Sequence, residues 1–334
     1  MPNPSVSRDG LLESQLRAYG NSLSDYIAEQ VFTRVAVNDF TGDFMEVLGG
    51  FGAAFPDMDY FRGIGGDYPE FEILFGEVSG WNLNDFGGGF TIDEKAQRRL
   101  GGPATKINLR RSFGRRVMNM LMLRREVLGQ AIVQNTTTAG AAGRSETWLA
   151  ADQVDNPNSD QLALIDSVRN TFLEAKGIEA NGIVMNDLVA QKYNAHPQFN
   201  TFRAQVRESI GRMVDSRAPS LLKAVIARIW MVPEQNVFIG RSRRNTAEPG
   251  QTASLSRVWG NHITLLNKVD SLVADEPNGA FARYQLANGD EGAVKRWFPK
   301  PGVERNTISW DEQWLQIDGT GGWDESYLVV NAHG

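Results

Sequence analysis

The chain has 334 residues, a formal net charge of −6, 41% hydrophobic and 22% charged residues, and no cysteine. That length and balance support a large folded core and exclude disorder of the whole chain. Without cysteine there are no disulfides and no thiolate metal sites, and the acidic excess excludes a globally basic nucleic-acid binder while leaving local patches open.

The first thirty residues begin polar, with Pro2 and Pro4. Leu11, Leu12, Leu16, Leu23 and Ile27 then recur at helical intervals. This predicts an amphipathic arm whose apolar side is buried on another segment or subunit. No basic-then-apolar leader opens the chain, and no apolar run reaches the length of a bilayer span. The expectation is therefore the cytoplasm, with no membrane partner.

Residues 49–92 interleave glycine with aromatics: Phe51, Phe55, Tyr60, Phe61, Tyr68, Phe71, Phe75, Trp81, Phe86 and Phe90. Glycine opposes helix, and aromatics favour strands. Phe71, Ile73 and Phe75 alternate in the manner of a short strand. The segment reads as a long twisted β-excursion with too little local chain to cover its rings, so they are expected to pack on a neighbour.

Residues 104–135 carry the strongest helical signal, with Phe113, Val117, Met120, Leu121, Leu128, Ala131 and Ile132 on one stripe. Arg124 interrupts it. The preferred reading puts Arg124 at the stripe edge, in water; the alternative is a buried or interfacial ion pair. Residues 136–158 read as a connector. Leu162–Ala175 reads as a helix capped by Ser159 or Asp160 and stopped by Gly177. A buried strand Gly182–Met185 follows, then a helix capped by Asn186 or Asp187 and ending at His196-Pro197. Leu221–Ala227 reads as helix. Ile229–Val232 and Val237–Ile239 read as strands about the turn at 233–236, and Val258–Leu266 as a further strand region. The last thirty residues read as β, broken by the turn 318–322.

A search for chemistry returns little. His196, His262 and His333 have no metal-ligand spacing, and no G-x-S-x-G elbow supports a Ser-His-Asp site. Gly87-Gly88-Gly89 lacks the Lys of a phosphate loop, and Gly63-Ile64-Gly65-Gly66 lacks dinucleotide spacing, so both read as loop glycines. Acidic residues are numerous, but abundance alone does not define a carboxylate pair. The doublets Arg110-Arg111, Arg115-Arg116 and Arg124-Arg125 do not form one helical stripe. Arg241, Arg243 and Arg244 form a second basic cluster in a predicted loop. Trp297, Trp310, Trp314 and Trp323 suggest contact or core rather than catalysis.

One ordered combination is informative. A helix with Leu164-Ile165-Asp166 and Phe172 leads to Asn181-Gly182-Ile183-Val184-Met185-Asn186 and then Tyr193-Asn194-Ala195-His196-Pro197. Next come Leu221-Leu222-Lys223-Ala224-Val225, Ile229-Trp230-Met231-Val232, Asn236-Val237-Phe238-Ile239-Gly240-Arg241 and Trp259-Gly260-Asn261. This resembles the A-domain of tailed-phage major capsid proteins. Leu123-Arg124-Arg125-Glu126 resembles the spine helix of that family. The likeness runs over roughly residues 50–334.

The resemblance implies an α+β Hong-Kong-97-like capsid fold, shared with encapsulins. It divides the chain into an N-terminal arm (1–48), an extended E-loop β-hairpin (49–92), a discontinuous P-domain (93–158 and 303–334) and an A-domain (159–302). It implies a structural protein, with no catalytic residue, metal or cofactor, that self-assembles into pentamers and hexamers of an icosahedral shell around double-stranded DNA. The implied location is the virion, assembled in the host bacterial cytoplasm. Implied intersubunit contacts are Phe61, Tyr68, Phe71, Phe75, Trp81, Phe86, Phe90, Arg124, Arg125 and Glu126, with Arg241, Arg243 and Arg244 in a loop at the capsomer axis. Implied partners are further copies, a separate scaffolding protein, a portal and a decoration protein, with weak non-specific contact to packaged DNA. Residues 49–92 hold no Lys, so no E-loop cross-link is expected. The rival readings are an encapsulin-like cargo shell, a hydrolase and a glycan-binding module.

Overall fold

The structure is a computed structural model that describes residues 7–8, 26–48, 74–93, 103–141, 143–210, 219–247, 251–252, 254–269, 280–287, 293–300, 303–316 and 326–334. In chain order the elements are β1 (Ser7–Arg8), α1 (Ala28–Val31), β2 (Thr33–Val37), β3 (Thr41–Leu48), β4 (Leu74–Asn82), β5 (Asn84–Asp93), α2 (Pro103–Val133), α3 (Thr136–Ala141) and β6 (Ser145–Thr147). Then come α4 (Gln161–Lys176), β7 (Gly182–Asn186), α5 (Asp187–Ala195), α6 (Asn200–Ile210) and α7 (Pro219–Trp230). The chain continues with β8 (Val237–Gly240), β9 (Arg243–Asn245), β10 (Leu255–Arg257), β11 (Ile263–Leu266), β12 (Phe281–Leu286), β13 (Ala293–Lys300), β14 (Val303–Gln316) and β15 (Ser326–Val330).

Two sheets organise these elements. One has the order β6-β15-β11-β7-β8, with β7 parallel to β8, β6 parallel to β15, and β11 antiparallel to both its neighbours. Its central strands are buried on both faces, which is why Gly182–Asn186 reads as an apolar run rather than an alternation. Ile183, Met185, Val237, Ile239, Ile263 and Leu265 point into a core shared with Phe172, Tyr193, Phe199 and Trp230 of the helical layer. Val184, Phe238 and Leu266 point the other way, into a second core with Ile27, Phe32, Val133, Trp259 and Phe281.

The second sheet is built on β14. Its one edge pairs with β5 over the full length of that strand; its other edge pairs with β13 and then β12, and β2 adds in parallel beyond β12. Met118, Leu121 and Met122 of α2 pack on Ile308 and Trp310 of β14. The glycine run 87–89 lies inside β5, not in a loop. A Cβ at Gly87 would sit 2.6 Å from the Ile308 carbonyl oxygen, so glycine there lets β5 lie close along β14. Strands β3 and β4 form a separate hairpin, and β9 and β10 a two-stranded ribbon.

Several expectations hold at the level of single caps. Asp160 caps α4 by accepting from the Ala163 N–H, and Gly177 ends it in the left-handed region at φ 68°. Asn186 caps α5 through Val189 N–H, and the helix ends at His196. The spine helix is found as one 31-residue element.

Others are corrected. Ile229-Trp230 is not strand but the last turn of α7, whose buried residues Leu221, Leu222, Val225, Ile226, Ile229 and Trp230 keep a helical period. β-Branched and aromatic content disguised that period. The helix stops at Met231, which takes φ 52° while Val232 N–H bonds back to Ala227 C=O at 3.1 Å, a Schellman closure on a non-glycine residue. The boundary at 302 cuts a sheet, since β12 and β13 pair with β14, and β15 leaves the P-domain range to join the sheet of β7 and β11. The excursion begins earlier than 49, because β3 (41–48) is the partner of β4. The described part of the arm meets another segment of its own chain, one of the two partners expected for it, with β2 in a sheet and Ile27 buried; Leu11, Leu12, Leu16 and Leu23 lie outside the described residues.

An L-residue in the left-handed region costs about 1 kcal/mol. Met231→Gly should therefore raise unfolding stability by up to about 1 kcal/mol, read as an upward shift of the urea midpoint at unchanged slope.

Candidate functional site

The most elaborate polar arrangement lies on α2, where Arg125 and Glu126 are both buried. Glu126 accepts from Ile27 N–H at 3.0 and 3.1 Å, Ala28 N–H at 2.8 Å, the Trp259 indole N–H at 2.6 Å and the Ser242 hydroxyl at 3.1 Å. Three distant segments thus converge on one carboxyl. Trp259 reaches it by lying over Gly240, where a Cβ would come within 2.1 Å of the ring. Burial pushes the Glu126 carboxyl above its ordinary range; the hydrogen bonds from Trp259, Ala28, Ile27 and Ser242 oppose that rise without cancelling it.

Arg125 points about 100° away around the helix. It engages Glu312 through two nitrogens, with Nε to Oε1 at 2.9 Å, and pairs with Glu29. Its guanidinium lies 4.2 Å from the Trp310 ring centroid. Glu29 also accepts from Arg283 at 3.0 Å. A second pair, Arg110 with Glu304, fixes the start of α2 on β14. Burial raises the Glu304 carboxyl, but hydrogen bonds from Arg110 and Asn306 and the charges of Arg110 and Arg296 outweigh it, leaving the group below the usual range.

Among the described residues no three His, Asp or Glu side chains form a metal-binding group. A Ser-His contact exists, Ser159 Oγ to His196 Nε2 at 3.4 Å, but both are buried. His196 Nδ1 accepts from Gln198 N–H and Nε2 faces the Asn156 carbonyl at 3.1 Å. Nε2 therefore carries the proton and is no base for the serine. His196 caps the turn 197–199, and His262 Nδ1 accepts from Asn331 N–H at 3.1 Å.

No family model matches the sequence. Over 161 residues the chain is 26% identical to the major capsid protein of Pseudomonas phage JBD67; the match covers 48% of this chain and 47% of that protein, about half the length of each. A phage-related protein from Bordetella bronchiseptica RB50 superposes with TM-score 0.66 at 17% identity over 98% of both chains. A virus-like particle protein from Pyrococcus furiosus superposes with TM-score 0.51 at 10% identity, over 95% of this chain and 97% of that one. This is the Hong-Kong-97-like capsid fold.

Within the capsid fold the residues expected at intersubunit contacts divide into groups. Phe61, Tyr68 and Phe71 lie outside the described residues, and of Phe75 only the backbone, in β4, is described. Trp81 is corrected: it is buried in its own chain, stacked on Tyr284 at 5.4 Å. Phe86 and Phe90 are half-buried against Trp310 and Phe113. Arg125 and Glu126 are likewise corrected, since full burial inside one chain leaves them no surface to offer a neighbour. Arg124 is exposed, as the edge reading expected.

The buried face of α2 is Gly114, Met118, Leu121, Met122, Arg125, Glu126, Gly129 and Val133. It lies about one position from the apolar stripe read in the sequence, because charges and glycines occupy half of it. Glu29, Arg283 and Glu312 were missed altogether, and Trp259 entered only as part of the capsid-like pattern without its bond to Glu126, since nothing local marks a partner about a hundred or more residues away. Arg243 and Arg244 are exposed on the β9–β10 ribbon rather than in a loop. Arg243 sits opposite Arg257 with Asp187 between them, at 3.8 and 2.6 Å respectively, and Arg241 is half-buried.

Glu126→Ala would leave several buried donors unmatched and should cost about 3 kcal/mol or more. The two carboxyls also predict opposite pH limbs. Glu126 binds its proton more tightly folded than unfolded, so its contribution falls as pH rises from about 4.3 through its raised folded value. Glu304 does the reverse: its contribution is present above about 4.3 and is lost as pH falls through its lowered folded value. Urea midpoints across this range should lose the first slope in Glu126→Gln and the second in Glu304→Gln.

Proposed function

We propose that the chain is the repeating subunit of an icosahedral shell, arranged in pentamers and hexamers around double-stranded DNA. One observation carries this reading: a whole-length superposition on a phage-related protein, joined to a half-length sequence match with a phage major capsid protein. A histidine whose ring caps the turn 197–199 beside Ser159 fits a structural role better than a hydrolytic one.

The E-loop is then the hairpin of β3 and β4, and its aromatics outside the chain's own core are the contacts to a neighbour. The β9–β10 ribbon with Arg243 and Arg244 faces the capsomer axis. The acidic balance of the chain supports only weak, non-specific contact with packaged DNA. Assembly takes place in the bacterial cytoplasm with a separate scaffolding protein and a portal, and a decoration protein is a further partner of the finished virion.

Electron microscopy of the purified protein, with and without the other virion proteins, tests the reading. Closed polyhedra are expected in the presence of those proteins, and only amorphous or monomeric material in both preparations would reject it. Full particles should carry double-stranded DNA; a protein cargo in its place would select the encapsulin alternative. Denaturing gels of particles should show one band at the monomer mass, and a covalent ladder would contradict the missing E-loop Lys.

A further inference from the structure

The outer side of α2 is a second feature of that helix: the capsid resemblance offers Arg124 there as an intersubunit contact but assigns nothing to Arg116 or Met120. Residues 103–133 contain seven basic residues, Lys106, Arg110, Arg111, Arg115, Arg116, Arg124 and Arg125, and one acid, Glu126, which is buried. Helical neighbours at i, i+4 and i+8 form a ridge. On α2 one such ridge runs Ser112, Arg116, Met120, Arg124 and Leu128. Its first four residues are exposed and Leu128 is half-buried. Met120 is 71% exposed, the highest value among the exposed large hydrophobic side chains of the described residues. Among those residues no ion pair engages Arg116 or Arg124, although four other arginines of the protein hold buried or partly buried carboxylates.

The geometry points to a docking ridge for an acidic amphipathic helix of a separate chain, with Met120 as its apolar centre and Arg116 and Arg124 as its charged flanks. The two arginines are eight residues apart, about 12 Å along the axis. Carboxylates two turns apart on a partner helix, with an apolar side chain midway, match that spacing. A cation pair alone would suit a nucleic-acid backbone equally well. Met120 decides between them: an apolar side chain between two charges adds nothing to phosphate contact, whereas a partner helix buries it as an anchor ringed by polar contacts. The absence of any exposed acid on the helix keeps the ridge from being neutralised by its own neighbours. Arg116 and Arg124 have no described partner, so binding breaks no ion pair seen in the structure.

The test uses the full chain and fluorescence anisotropy, independently of shell formation. The probe is a labelled helical peptide of about twenty residues with Glu at two positions eight apart and Leu midway, set against a labelled duplex DNA. The peptide should bind saturably. Arg116→Glu with Arg124→Glu should weaken it about tenfold or more, and Met120→Ala about threefold or more. All three side chains are exposed, so unchanged circular dichroism and thermal midpoint should accompany these losses. Peptide binding that is absent, or indifferent to these variants, overturns the proposal. So does duplex DNA held through the same arginines with no sensitivity at Met120, which assigns the ridge to nucleic acid. Self-association that depends on Arg116 and Arg124 in place of peptide binding assigns it to a second copy and equally overturns it.

Discussion

Burying a charge requires that every lone pair and proton on it find a partner, and the spine helix carries two such charges side by side. Arg125 and Glu126 diverge around the helix, so they cannot neutralise each other, and each draws in a different part of the chain. Glu126 gathers the N-terminus of α1, the link after β8 and Trp259. Arg125 gathers β14 and, through Glu29, both α1 and Arg283 of β12. Replacing such groups with well-packed apolar residues is often neutral for stability, whereas removing one member leaves the other stranded. What the arrangement supplies beyond energy is register. An apolar α1 could slide along an apolar groove; an α1 whose first N–H groups must meet one carboxyl cannot.

That register matters because α2 lies against both sheets, which also meet in the second core through Phe238 and Phe281. The β7 sheet is clamped between the helical layer and α2, with alternate side chains assigned to different cores. The β14 sheet rests on the other side of the same helix through Met118, Leu121 and Met122. The helix is therefore the common wall of two cores, and its sequence must satisfy both. Glycines at 114 and 129 and charges at 125 and 126 are the outcome, and a simple amphipathic helix would not serve.

This explains what could and could not be read from the residues. Local devices were legible: the Asp160 and Asn186 caps, the Gly177 stop and the two-faced strand Gly182–Asn186 are each written within a few positions. The order of such pieces gave only the α+β class, and the capsid fold came from the resemblance of their residues. The face of α2 was not legible, since periodicity counts apolar residues and this face is half charge and glycine. The end of α7 was misread because Ile229 and Trp230 favour strands in isolation, whereas their burial beside Val225 and Ile226 holds them in helix. The sheet memberships of β12, β13 and β15 depend on pairings of high sequence separation, for which no local residue is a marker.

The same mismatch bears on the outer face of the helix. Met120 sits on the apolar stripe of the sequence but outside every core of the structure. If the stripe existed only to fold the chain, position 120 would be free to be polar, and the ridge Arg116–Arg124 would be an unbroken cationic row. It holds instead a large apolar side chain, with cations one turn to either side and no acid within the exposed surface of the helix. The inner face is committed to register within the chain by buried ion pairs. On the outer face Arg116 and Arg124 flank a single large apolar side chain, which is the pattern of a surface that meets another helix rather than water alone.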